Sequence, residues 1–591
     1  LSTPPNQFTP IGPQQKGKLS PELRFMLASL LCVLVILGWT AWFAPKPPVN
    51  APKTNMPGAT APSTSTDSGT SSPNTPQQRT NSTVSAAAPA SASATGDSQE
   101  RTVVVENELY RVEFSNRGAV VKSWQLKKYR DDSKPQKPLD VVHAQAAQYE
   151  GGWPFSLAMN DAQMERAANS GLYKVSSDAT TLSAPADLTF TWSDGHLEIT
   201  KTFHFDHSYV VNIDTSSKYN GTPVLAGIAW RGGFGDLTVT NPAPVETVDT
   251  FYSENGKIKT FNYKKLESPE KWGTTWEGGK TFVGIEDRYF VAAFLPPVDA
   301  LSMPLETRYW KTYHPIQVDG QEKAEAIPEL AAASSADRME LRAYVGPKDY
   351  DDLKAMKPPL NGLVQFGWLE FIADPLFHGL KWLNKYIPNW GWDIVVLTLV
   401  INMLLFPLRI SSYKTSLKMQ RVAPEIKQIQ ERYKKYKMND PRKAEMNKEV
   451  MAVYSREGIN PVGGCLPMLL QMPIWFGLNT ALRYAIELRH ANWMWIHDLA
   501  SKDPYYILPV MVGLSTYLVS KMTPMTSTDP QQAQMMKIMP ITFSAMFIFF
   551  PFSSGLALYI LTSSIVGILQ QWYLNRTHPL PASAKPTRAK K

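Results

Sequence analysis

The sequence predicts a polytopic α-helical membrane protein of six spans carrying an inserted all-β sandwich domain, and three observations carry that prediction. Uncharged apolar stretches of membrane-spanning quality occur once near the start, at Phe25–Phe43, and repeatedly after residue 388. Between about residues 101 and 346 the pattern changes to short alternating runs separated by Gly, Asn, Asp and Pro. The composition fits a polar half joined to an apolar one: of 591 residues, 43% are hydrophobic and 19% charged. The two cysteines, Cys32 and Cys465, each lie in an apolar stretch, so no disulfide framework holds the polar domain and it must stand on its own core. The net charge of +8 comes from bases clustered beside apolar spans, where membrane orientation and anionic headgroups account for it without a nucleic-acid ligand.

Each element follows in order. Residues 1–24 contain Lys16, Lys18 and Arg24, and no base follows until Lys46, so the positive-inside rule puts this segment in the cytoplasm and exports what comes next. Residues 25–43 end in Trp39, Trp42 and Phe43, an interfacial aromatic belt and not a small-residue cleavage site, which reads as an uncleaved anchor. Residues 44–100 are Pro, Ser, Thr, Ala and Asn with almost no large apolar side chain, so they form a disordered tether. Residues 101–346 carry TVVVENELYRVEF, LTFTW, LEITKTFHF, YVVNIDT, FVAAFL and MELRAYV, the strands of an antiparallel sandwich. Residues 360–387 repeat Leu363, Phe366, Leu369, Ile372, Leu376, Leu380 and Leu383 at three- and four-residue steps, with Trp368 and Trp382 nearby, as an interfacial amphipathic helix in which Pro375 is a candidate break or kink. Residues 388–575 hold the spans Trp392–Leu408, Val462–Leu482, Tyr505–Ser520, Met535–Phe550 and Leu556–Tyr573, the last two joined by a tight turn at Pro551–Gly555.

Loop charges orient these spans. The segment 411–460 is rich in bases, among them Lys418, Arg421, Lys427 and Arg432, and is net positive; the tail 576–591 has bases and no acid; the loop 483–504 is balanced. Both termini and the basic loop are therefore cytoplasmic. That loop is itself helical, with one stripe of Leu417, Ile426, Ile429 and Tyr433, a second of Met446, Val450, Val453 and Tyr454, and a turn at Met438–Pro441.

Enzymatic signatures are missing. Glu277–Thr281 (EGGKT) lacks the first glycine of a phosphate loop, since Thr274 occupies that position, and it reads as a hairpin turn. The nine histidines and two cysteines never take metal-ligand spacing, and no cofactor motif is present. The spans carry almost no ionisable residue, as a transporter would need, but they do carry Asn402, Gln471, Asn479, Thr480, Ser515, Thr516, Thr542, Ser544, Thr562, Ser563, Ser564, Gln570 and Gln571. Such groups serve helix–helix hydrogen bonding or line a wet uncharged groove. Spans of sixteen residues reach roughly 24 Å against roughly 30 Å of hydrocarbon, which thins the bilayer beside that groove.

Asn460–Pro467 (NPVGGCLP), Gln471–Ile474 (QMPI), Trp495–Leu499 (WIHDL), Asp503–Pro509 (DPYYILP) and the Pro551–Gly555 turn resemble the YidC membrane protein insertase family, strongly over 360–575; Phe114–Val121 is similar to its exported domain. The resemblance implies a periplasmic β-sandwich, a five-span insertase core with a hydrophilic groove, and insertion of nascent membrane proteins into the bacterial inner membrane, alone or beside the Sec translocon. Ribosome and lipid contacts are implied with it, the cytoplasmic hairpin receiving substrate. The family's groove arginine falls on Asn402, its groove glutamine on Gln471, two polar positions of the last span on Tyr559 and Ser563, and a threonine on Gly567. Arg409 lies seven residues after Asn402, two turns along the same face, and is the candidate displaced charge. The expected function is motor-free insertion, not enzyme catalysis; the rivals are a small-solute or lipid transporter and an anchored periplasmic binding module.

Overall fold

The computed structural model describes residues 93–523 and 552–578 and Thr542, apart from 134, 151, 237, 239–247, 263–275, 319–320, 335–338, 365, 367–368, 437–439 and 461–465. The expected anchor at 25–43, most of the tether, the span Met535–Phe550 except Thr542, Met438 and Asn439 of the hairpin turn, Pro551, Trp368, Cys465 and the tail beyond His578 lie outside the described residues.

Alternation builds the β-domain. Leu197–Phe205 buries Leu197, Ile199, Lys201, Phe203 and Phe205 and half-exposes the residues between them, the period of two of a pleated strand with one covered face. This strand pairs antiparallel with Ala186–Ser193 and Val210–Tyr219. The sheet continues through Met339–Pro347, Phe290–Leu295, Phe282–Glu286 and Asp249–Glu254 to Lys257–Asn262. Two smaller sheets, one with Thr102–Glu106, Tyr110–Ser115 and Val120–Arg130, the other with Leu305–Val318, Gln321–Ala333 and Ala226–Trp230, share its core. At the centre Phe155 stacks on Phe203 at 5.6 Å and meets Trp124 and Trp230 edge-on.

Two expectations for this domain are corrected. Thr102–Glu106 pairs in parallel with Thr181–Ser183, because a long excursion through the helix Ala162–Ser170 separates them and leaves room for a crossover. Glu277–Lys280 is a strand beside Leu305–Val318 and not a hairpin turn; the register shifts between its ends, where Gly279 takes φ 84°. Lys201, inward by the alternation, donates to the carbonyls of Gly118 (2.8 Å), Ala119 (3.1 Å) and Phe155 (2.8 Å). Those residues have φ of 71°, 49° and 65°, a backbone turn that aims their oxygens at the ammonium. Burial pulls the Lys201 pKa down to about 7.

The helical region begins with α1, Glu370–Asn384, shorter than the expected 360–387 because Asn361–Leu363 form a separate 3-10 turn. Pro375 does not break α1: it lies in the second turn, and the carbonyl it deprives of a donor belongs to Phe371 in the exposed first turn. Ala373, Phe377 and Leu380 join Leu353, Leu360, Leu363 and Phe366 in the core, whereas Phe371 and Trp382 are exposed, so the helix is amphipathic. Helix α2, Trp390–Arg432, runs 43 residues without interruption. The expected division between the span Trp392–Leu408 and a separate hairpin arm from 411 is therefore corrected. No glycine occurs between Trp392 and Arg432, and the helix runs on through Pro407 and Pro424. At about 65 Å it is twice the hydrocarbon thickness, enough for span and arm together.

There follow α3, Arg442–Arg456; α4, Leu466–Tyr484; α5, Ile507–Met522; and α6, Ser554–Thr577. Among the described residues α2 and α6 are long and apolar enough to cross a membrane, and α5 is a shorter apolar helix. The distal half of α2 packs on α3 through Val422, Ile426, Ile429 and Val453, with Tyr433, Met446, Val450 and Tyr454 beside them. Leu417, expected in that stripe, packs with Tyr413 and Leu574 of α6 instead.

Charged contacts tie the β-domain, and the segment that follows it, to the helices. Lys381 of α1 reaches Asp351 at 2.6 Å, Glu487 at 3.1 Å and Asp349 at 3.6 Å. Arg489, in the loop between α4 and α5, pairs with Asp236 and lies 3.7 Å from Asp132, which also bonds His490 at 2.8 Å. The His490 hydrogen bond and the Arg489 charge hold the Asp132 carboxyl below its ordinary value.

Candidate substrate groove

Polar side chains on apolar helices must pair with one another or with backbone, because hydrocarbon supplies neither donors nor acceptors. Thr398, Thr480, Ser515 and Thr516 do so locally, donating to carbonyls three or four residues back at 2.5–3.0 Å. For these four, helix satisfaction is the whole account.

The amides behave differently and cross between helices. Gln471 of α4 donates to the Tyr559 hydroxyl of α6 at 2.5 Å. Ser563 donates to the Asn402 side-chain oxygen at 3.3 Å, and the Asn402 amide donates to the Thr398 carbonyl at 2.8 Å. Gln570 works in both directions: its amide donates to the Asn402 carbonyl at 3.2 Å, and its oxygen accepts from Arg409 Nη1 at 2.9 Å. Beyond it the Tyr413 hydroxyl faces the Asn575 side-chain oxygen at 2.8 Å and the His578 carbonyl at 3.2 Å. Tyr559, Ser563, Gly567 and Gln570 step by four, four and three, and Asn402, Arg409 and Tyr413 by seven and four, so each set forms one face of its helix. The result is a polar seam between α2 and α6, capped by the α4 contact.

Arg409 is the charged member of that seam. It is half-buried, and Gln570 is its one hydrogen-bond partner among the described residues. Its guanidinium lies against the α6 backbone at Gly567, where an added Cβ would stand 3.1 Å from Nη2 and 3.3 Å from Nη1.

Five of the six expected groove residues, Asn402, Arg409, Gln471, Tyr559 and Ser563, thus make cross-helix contacts. Asn479 does not; it is half-buried without a hydrogen-bond partner among the described residues. Sequence reasoning did not select Gln570, Gly567, Tyr413 or Asn575 as site residues, although Gln570 returns to the Ser563 face after seven residues and Tyr413 to the Arg409 face after four. Of the hairpin residues, Lys418, Arg421, Lys427 and Arg432 are all exposed, and Arg432 pairs with Glu449 at 2.7 Å.

A family model described as the YidC periplasmic domain matches residues 102–379, and one described as the 60Kd inner membrane protein matches 382–581. A membrane protein insertase YidC of Syntrophus aciditrophicus is 34% identical over 519 residues, covering 85% of this chain and 91% of its own. This chain belongs to the YidC insertase family. YidC insertases of Wolinella succinogenes and Geobacter metallireducens are each 32% identical, over 587 and 568 residues, covering 96% and 94% of this chain and 98% of each of theirs. The function is membrane protein insertion, and the β-sandwich is the YidC periplasmic domain of an inner-membrane protein whose substrates are nascent membrane proteins. YidC is an insertase family and not a classical enzyme family.

Proposed function

We propose that the seam between α2, α4 and α6 is the groove along which this YidC insertase passes the hydrophilic part of a nascent membrane protein, without a nucleotide motor. Arg409 is the observation that supports this most: a half-buried guanidinium between two membrane-long helices, held among the described residues by one neutral partner. Four of its five N–H donors have no partner among the described residues, and the planar fork suits a carboxylate. Asn402 leaves the earlier rung uncharged, so the attracting charge stands two turns, roughly 10 Å, further along the helix.

The topology proposed with it has six spans, cytoplasmic termini and a periplasmic β-domain, which the basic segment 411–460 and the balanced loop 483–504 support. The domain limits are 101–346 for the sandwich, 360–387 for the interfacial segment and 388–575 for the core. Helix α5, of 16 residues, spans roughly 24 Å and favours a locally thinned bilayer. The exposed bases Lys418, Arg421 and Lys427 receive the emerging chain and the ribosome, and the Sec translocon and anionic lipids are the remaining partners.

Crosslinking a stalled nascent chain to probes at Asn402, Gln471 and Ser563 tests the groove, and labelling confined to the β-domain overturns it. Arg409→Ala impairs insertion of a substrate bearing acidic residues while Arg409→Lys largely preserves it. Full activity of the alanine variant at wild-type abundance would end the displaced-charge reading.

A further inference from the structure

Resting on the groove reading of Arg409, we infer that Gly567 and Gln570 are its positioning residues and together make this insertase prefer segments that carry a carboxylate. Two features of α6 make the seat. Gly567 leaves a space that the guanidinium fills: a Cβ there would lie 3.1 Å, 3.3 Å and 3.6 Å from Nη2, Nη1 and Cζ. A larger side chain must displace the whole planar group, since all three atoms face the same point.

Gln570 supplies orientation without neutralisation. Its amide nitrogen is committed to the Asn402 carbonyl at 3.2 Å, which turns its oxygen to Arg409 at 2.9 Å. A neutral oxygen fixes the guanidinium in direction while leaving its charge uncompensated for a ligand. A carboxylate at 570 would do the opposite, pairing with Arg409 inside the protein and forfeiting the donor to Asn402. The seat also argues for a peptide carboxylate over a lipid phosphate, because Gly567 and Gln570 hold the group inward on the α6 backbone, while Lys414 and Lys418 are exposed on the same helix and free to meet headgroups.

The experiment uses the full chain reconstituted in vesicles of phosphatidylethanolamine and phosphatidylglycerol. Two small single-span substrates are compared, identical except that the Asp and Glu residues of the translocated tail are Asn and Gln in the second. The measured quantity is the ratio of acidic to neutral insertion at matched abundance. Gln570→Glu, which is isosteric, and Gly567→Thr each lower that ratio about tenfold, the scale of one charge-assisted hydrogen bond. In an Arg409→Ala background neither change lowers it further.

If Gly567→Thr or Gln570→Glu still reduces insertion in the Arg409→Ala background, the residue serves helix packing and the inference falls. If Arg409→Ala lowers the ratio but Gln570→Glu and Gly567→Thr leave it intact, the seat fails while the groove reading survives. An unchanged ratio in Arg409→Ala removes the reading of Arg409 as the groove charge. Loss of the wild-type ratio on replacing phosphatidylglycerol by phosphatidylcholine, which removes the net anionic headgroup, would make the preference a property of the anionic lipid and overturn the carboxylate assignment.

Discussion

Asp236→Ala is expected to disable this protein more severely than removal of most of the β-domain that contains Asp236. The side chains of Arg489 and Asp236 are 4% and 3% exposed, and the Arg489 surroundings include the rings of Phe290 at 5.5 Å and Tyr289 at 5.8 Å. Removing one partner of such a pair strands a desolvated charge, which costs about 3–5 kcal/mol. Asp132 remains at 3.7 Å, which sets the expectation near the lower end, about 3 kcal/mol. That corresponds to roughly a hundredfold rise in local opening. Hydrogen exchange of the loop 485–500 in the full chain reads it directly, through amides such as those of Trp493 and Ile496, which bond each other's carbonyls at 2.8 Å. Adding Arg489→Met removes the stranded charge and restores most of the protection. Deleting 110–320 takes away Asp132, Asp236 and Phe290 together, so Arg489 returns to water and insertion is retained. Exchange in Asp236→Ala within threefold of wild type, or no recovery with Arg489→Met, would refute the reasoning.

Lys201 gives a pH signature: the unfolded lysine keeps its proton to about pH 10.4 and the folded one releases it at about 7, so between these values the unfolded state binds more protons. Stability of the sandwich therefore rises with pH across that window, by at most about 1.4 kcal/mol per unit, and the gain is absent below about 7; urea melts followed by tryptophan fluorescence should show the rise in wild type and none in Lys201→Met. Tyr559→Phe removes the acceptor of Gln471 and lowers thermal stability in detergent by about 1 kcal/mol, and Gln471→Leu in the same chain recovers part of it, whereas additive losses would mean the two side chains are not coupled. Deleting 418–456 leaves the protein in the membrane but slows insertion, with the largest difference at low salt; an unchanged rate at normal expression would reduce the hairpin to a topology signal.

Much of the fold is legible in local pattern. LEITKTFHF coincides with the strand Leu197–Phe205, FVAAFL with Phe290–Leu295, and the two apolar stripes of the hairpin with the small core between α2 and α3. Periodicity and propensity act between neighbours a few residues apart, so they survive without tertiary context. Tertiary structure decided what depends on distant partners. Sequence alternation turns Lys201 inward, but only folding brings it the carbonyls of residues 118, 119 and 155. Asn402, Arg409 and Gln471 were identifiable one by one, whereas Gln570 became the link between two of them only when α6 lay along α2. The Asp236–Arg489 pair joins residues 253 positions apart, and no local rule reaches across that separation. Sequence by itself determined which side chains are polar, which faces are apolar and how long each element can run; packing decided which faces meet, because burial free energy belongs to the pair of surfaces and not to either segment alone.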